Sequence, residues 1–148
     1  MKEDLIIEFK KAITSTVRAI ANNKEIEVVF DNNAFKSKNT IVLPKIENEN
    51  DLEFLSSLRG DADNQALMYR FHDRETFELM SPKGHKNKEI YEVLENTRIQ
   101  ILGSKIMKGV KSNLYSLYEK KCSENCLFEA NEQSDIDVQN ALDFYLRK

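Results

Sequence analysis

The chain has 148 residues, 41% hydrophobic and 32% charged, with a net charge of -3. That is one domain's worth of chain, able to bury a real core, and its slight acidity gives no general basic footprint for nucleic acid. No apolar run approaches the length of a membrane span, and the charged start at Lys2, Glu3 and Asp4 has no secretory signal behind it, so we expect a cytoplasmic protein with Cys122 and Cys126 as free thiols.

Few glycines and prolines beside abundant Lys, Glu and Leu favour helix over an all-β fold. From Glu3 to Asn22, the residues Leu5, Ile6, Phe9, Ala12, Ile13, Val17 and Ile20 recur at three- and four-residue steps, which predicts a helix. Asn22-Asn23 supplies the left-handed turn that ends it. Lys24 to Phe30 changes to an alternating pattern, with Ile26, Val28 and Phe30 on one side, and Thr40 to Leu43 is a second β-rich run closed by Pro44. A hairpin with a long polar connection is the simple expectation, its free edge open to another chain.

Asn50 is placed to cap the next helix with Glu53 as its capping-box partner. Leu52, Leu55 and Leu58 form the buried side and Gly60 the stop. Asp61 then caps a further helix through Ala66, Leu67, Tyr69 and Phe71, which either continues toward Met80 or yields to a strand around Thr76 to Leu79. It changes before Pro82 in either case. Asn87 begins a central helix whose broad apolar face holds Ile90, Tyr91, Val93, Leu94, Ile101 and Leu102, with Arg98 inside it. Glu95 lies three residues before Arg98, close enough to pair on the helix surface. Gly103 and Gly109 then punctuate the chain. Ser112 caps a helix with Leu114, Leu117 and Tyr118, residues 125 to 133 read as loop, and Ser134 caps a last helix with Val138, Ala141, Leu142 and Tyr145. The fold class expected is α+β, predominantly helical, with roughly five to six helices and a small β-hairpin near the N-terminus.

The ordered set Glu95-x2-Arg98-x4-Gly103-x3-Met107-x-Gly109-Val110-x2-Asn113-Leu114 resembles the central signature of the CobT-type subunit of the aerobic cobaltochelatase. Phe9-Lys10-x-Ala12, Arg18-Ala19-Ile20-Ala21, His72-Asp73 and Pro82-x-Gly84 extend the resemblance over most of the chain up to about Cys122. No single element is diagnostic, but the ordered set is more specific than any member. The resemblance implies an N-terminal domain spanning 1–148, with the family's C-terminal von Willebrand factor A domain absent from this chain. It implies ATP-dependent insertion of cobalt(II) into hydrogenobyrinic acid a,c-diamide, on the aerobic route to cobalamin. ATP and Mg2+ would be handled by a partner AAA+ ATPase, the corrin by a large chelatase subunit, and this subunit would link them, possible self-association included. No cofactor is implied for the domain itself.

Other chemistry is weighed against structural roles. His72, His85, Glu92 and Glu95 invite a metal site or a remnant hydrolase, since imidazole and carboxylate suit a divalent transition metal. The spacing does not match two histidines four apart on a helix, and Asp73 points about 100° from His72 on a helix, so hydrogen bonds to a neighbouring helix are the preferred reading. Cys122 and Cys126 supply half of a zinc tetrad and read as small buried side chains. Glu95 and Arg98 form either an internal strut or a partner contact, because the guanidinium keeps its charge and needs an acid if enclosed. There is no phosphate-cradling glycine loop, no Asp-x-Ser-x-Ser and no Gly-x-Ser-x-Gly elbow. The expected function is therefore a non-catalytic assembly domain. The other readings are a metal-binding or hydrolase remnant, or an adaptor unrelated to cobalamin.

Overall fold

The structure is a computed structural model that describes residues 2–35, 37–48, 50–125 and 137–147. Six helices and one two-stranded sheet occur among them, in the order α1 (Lys2–Ala21), β1 (Glu27–Phe30), β2 (Thr40–Leu43), α2 (Leu52–Phe71), α3 (Arg74–Met80), α4 (His85–Ile106), α5 (Lys108–Glu124) and α6 (Val138–Arg147). The α+β, mostly helical class expected from periodicity is what the chain adopts. No helix among the described residues is long and apolar enough to cross a membrane.

α1 buries Ile13, Val17 and Ile20 against α2. It ends as its asparagines predict: Asn22 takes φ 54, and Asn23 donates from its backbone to the Arg18 carbonyl at 3.1 Å. The strands lie where the alternating pattern puts them, but they are parallel, not a hairpin, in the register Glu27↔Thr40 to Phe30↔Leu43. Each strand has a different helix to pack on, β1 on α1 and β2 on α2, and the polar connection carries the chain back to the start of β1. That return is held by turns: Asn33 N–H donates to the Asp31 carboxylate at 3.0 Å, and Thr40 N–H to the Ser37 carbonyl at 3.2 Å. Such a crossover is shorter than parallel strands usually need. The free side of β2 is already engaged, since Gln65 Nε2 on α2 donates to the Val42 carbonyl at 3.0 Å.

The break expected at Gly60-Asp61 does not occur, and α2 runs unbroken from Leu52 to Phe71. Its cap is Asp51, not Asn50, accepting from Phe54 N–H at 2.9 Å, and Leu52 is exposed. Gly60 serves packing. A methyl group there would collide with the Asn113 carbonyl oxygen and come within 2.7 Å of Leu117 Cβ. Glycine is what lets α2 and α5 make the most extensive helix contact of the fold. After α2, Asp73 caps a separate helix α3 through Thr76 N–H at 3.1 Å, which resolves the helix-or-strand alternative in favour of helix.

α4 starts at His85 and passes through Gly103 without a break. Its buried residues are Thr97, Ile99, Gln100 and Gly103, not the aliphatic face expected, and Leu94 and Ile101 keep over two-fifths of their surface exposed, at 42% and 47%. Close approach explains the difference. A methyl on Gly103 would overlap both Leu67 methyls and sit 3.0 Å from Leu67 Cγ, and Gln100 donates to Asn64 Oδ1 at 2.7 Å. Gln100 and Gly103 therefore face α2 beside the fully buried Ile99, and Leu94 and Ile101 are turned away. The joint to α5 is Met107, whose N–H bonds the Gly103 carbonyl at 2.9 Å. α5 thus begins at Lys108, ahead of the Ser112 start expected. The Ser134 cap and Cys126 lie outside the described residues. α6 is instead opened by Asp137, which accepts from Asn140 N–H at 2.8 Å.

Candidate functional site

The pair singled out by spacing sits where α2, α3 and α4 meet. α2 ends at Phe71 and α3 begins at Arg74, so His72 and Asp73 form the two-residue joint between them. On α4, Glu95 faces this joint with its side chain only 14% exposed. Arg98 Nε donates to Glu95 Oε2 at 2.7 Å, and Nη2 donates to Oε1 at 2.8 Å. The same Nη2 reaches the Phe71 carbonyl at 3.2 Å, satisfying one of the acceptors that a helix C-terminus leaves without a partner. His72 Nδ1 lies 3.0 Å from Glu95 Oε1. With the carboxylate ionised, that nitrogen carries the hydrogen. The His72 ring meets Phe77 edge-on at 5.0 Å, and Phe77 stacks on Tyr91 at 4.7 Å.

The electrostatics reflect this geometry. The two hydrogen bonds from Arg98 hold the Glu95 carboxyl down at about 2, against the opposing effect of its burial, with His72 helping. Glu95 in turn raises Arg98. Asp73, fully exposed, is lowered chiefly by the Thr76 amide that it caps. Each charge is committed to a neighbour. Arg98 is not enclosed in an apolar face, since its side chain is 49% exposed. The enclosed member of the pair is the acid. Glu95 accepts bidentately from Arg98 and again from His72.

This cluster is a clamp between helices, and it sets the size of a prediction. Arg98→Ala should destabilise the fold by about 1–2 kcal/mol at neutral pH, the low end for charged hydrogen bonds because half the guanidinium is in water. Glu95 has a depressed pKa, so its stabilising share is present above the ordinary carboxylate value of 4.5 and fades as pH falls toward about 2. Melting curves of wild type and variant should therefore differ at pH 7 and converge near pH 2. A gap that persists unchanged into acid means that Arg98 acts through packing.

The other candidate residues are scattered. His85 is 3.1 Å from Glu89 at the exposed start of α4. Glu89 and Glu95 are six residues apart on one helix, about 9 Å along its axis, so His72 and His85 engage different acids. Among the described residues no group of three or more His, Cys, Asp and Glu side chains is placed to hold a metal ion. Cys122 is a buried free thiol on α5. Gly103 and Met107 serve the packing of α4 on α2 and the joint to α5, whereas the space around Gly109 is open and nothing in the packing explains a glycine there.

Asn113 leads to a residue the sequence reading missed. Its Nδ2 donates at 2.7 Å to Oδ2 of Asp63, an acid only 2% exposed at the α2–α5 contact. Burial pushes the Asp63 carboxyl up to about 6, although the Asn113 bond and the charge of Arg59 both work to lower it. The two side chains border a cavity of about 260 Å3 shared with Phe9 and Arg59. The signal was present in the sequence, because Asp63 falls between Ala62 and Ala66-Leu67 on the apolar stripe of α2.

A family model described as cobalamin biosynthesis protein CobT matches residues 6–148. No solved structure matches the chain.

Proposed function

Because this chain belongs to the family of the cobalamin biosynthesis protein CobT, we propose that it is a non-catalytic assembly domain of the cobaltochelatase. In this reading it supports ATP-dependent insertion of cobalt(II) into hydrogenobyrinic acid a,c-diamide in aerobic cobalamin biosynthesis, in the cytoplasm. The observation that carries the reading is the use made of the signature residues. Glu95 and Arg98 clamp α4 to the α2–α3 joint, Gly103 admits Leu67, and Asn113 binds Asp63 across the α2–α5 contact. These residues shape a rigid helical scaffold of the kind that presents surfaces to other chains. ATP hydrolysis with Mg2+ belongs to the AAA+ ATPase subunit, the corrin to the large subunit, and cobalt is the substrate of the complex. The domain itself brings no cofactor, and self-association is compatible with its role.

Co-expression with the two chelatase subunits tests this directly. The chain should co-purify with the ATPase subunit or self-associate, and in isolation it should neither hydrolyse ATP nor insert cobalt. A monomer that co-purifies with neither subunit removes the assembly role. Turnover by the isolated chain removes the non-catalytic one.

A further inference from the structure

A cavity of about 670 Å3 forms a groove bordered by α4, α5 and α6. Its apolar lining comes from Ile101, Leu114, Tyr115 and Leu146, and Ile101 and Tyr115 leave much of their surface in water. Lys105, Lys108 and Lys111 stand along its rim, and among the described residues no aspartate or glutamate lines it. This inverts the charge of the whole chain, which carries 25 acidic against 22 basic residues. None of the three lysines forms an ion pair among the described residues. Lys105 suits its place in the last turn of α4. Lys108 and Lys111 do not suit theirs, because they open α5, where the helix dipole disfavours positive charge. The first turn of α5 also has no side-chain cap, since Met107 offers none. Its amide hydrogens add to the positive field beside the groove. Deeper in the wall, the Thr97 hydroxyl is buried with no hydrogen-bond partner among the described residues.

We propose that this groove docks an acidic segment of a partner protein, with an apolar side chain seated between Ile101 and Tyr115 and carboxylates along the lysine rim. The lysines are spread over two helices, Lys105 on α4 and Lys108 and Lys111 on α5. That arrangement fits a repeated pattern of acids along a peptide better than a single small anion. The inference rests on the assembly reading and adds to it the location and the chemistry of one contact.

The probe is a fluorescein-labelled synthetic peptide with leucines at helical spacing flanked by glutamates, and its control has glutamine at each glutamate. The full chain should bind the acidic peptide about tenfold or more tighter than the control at low salt, with the difference shrinking as salt screens it. The combined variant Lys105→Gln, Lys108→Gln, Lys111→Gln should lose that preference without any fall in melting temperature, since two of the charges removed oppose the α5 dipole. Tyr115→Ser should weaken both peptides. Equal binding of the two peptides, binding of neither, or an unaltered lysine variant overturns the proposal. Octanoate bound in the groove without peptide binding assigns the site to a small anion and also overturns it. In co-purification, a lysine variant that still holds both chelatase subunits refutes the groove and leaves the assembly role standing. A wild-type chain that holds neither refutes the assembly role, while the peptide measurement still decides the groove.

Discussion

Gly60→Ala is expected to lower the melting temperature by on the order of 10 °C, because at this glycine an added methyl meets backbone. The added carbon would meet the Asn113 carbonyl oxygen and lie 2.7 Å from Leu117 Cβ. Backbone oxygen cannot swing aside as a side-chain end can, so the α2–α5 contact must open along its length. Overpacking of this kind costs roughly 1–3 kcal/mol and more where the backbone is the obstacle, and for a chain of this size each kcal/mol moves melting by a few degrees, on the order of 3–4 °C. Helix propensity pulls the other way, since alanine is favoured over glycine mid-helix by about 1 kcal/mol. The sign therefore tests which effect governs the position. Thermal denaturation followed by circular dichroism decides it, and a melting point at or above wild type would mean that α2 and α5 do not approach as closely as described. Gly109→Ala is the matched control, because nothing lies near a methyl there and only propensity should act.

Asp63→Asn should stabilise the protein at neutral pH and leave it nearly unchanged near pH 4. The Asp63 carboxyl is raised from 3.8 to about 6 in the fold, so the native state binds this proton more tightly than the unfolded chain. Stability from this group is therefore fully present below about pH 4 and is lost as pH rises through about 6. At about 1.4 kcal/mol per unit, the loss is on the order of 3 kcal/mol as an upper bound. The amide has nearly the same shape, keeps an oxygen to accept from Asn113, and has no charge to desolvate. We expect a gain on the order of 1–3 kcal/mol at pH 7, read as the difference between urea denaturation midpoints of variant and wild type. Taking the difference at each pH cancels the titration of every other group. A variant that is less stable at pH 7 would show that the Asp63 charge, supported by Arg59, strengthens the α2–α5 contact.

Those two positions also show where sequence reading stops. Gly60 followed by Asp61 has the local form of a helix end and a new cap, and only the arrival of α5 turns it into a crossing point. The acid at Asp63 was visible inside an apolar stripe, but its partner Asn113 lies fifty residues on, in another helix. Within one helix, by contrast, Glu95 and Arg98 could be paired by spacing alone.

What the sequence determined by itself was local: the helical class, the left-handed exit of α1 at Asn22, the two short strands, the pairing of Glu95 with Arg98, and the ordered signature that marks the family. The structural ones depend on periodicity or contacts within a helix or on alternation along one strand. Tertiary structure decided the rest. It made the strands parallel by giving each a different helix to pack on. It turned α4 so that Gln100 and Gly103 face inward, leaving the guanidinium half in water and enclosing its acid. The physical reason is that burial belongs to a pair of surfaces: a helix's own periodicity says which residues share a face, and only the helix arriving against it determines which face is covered.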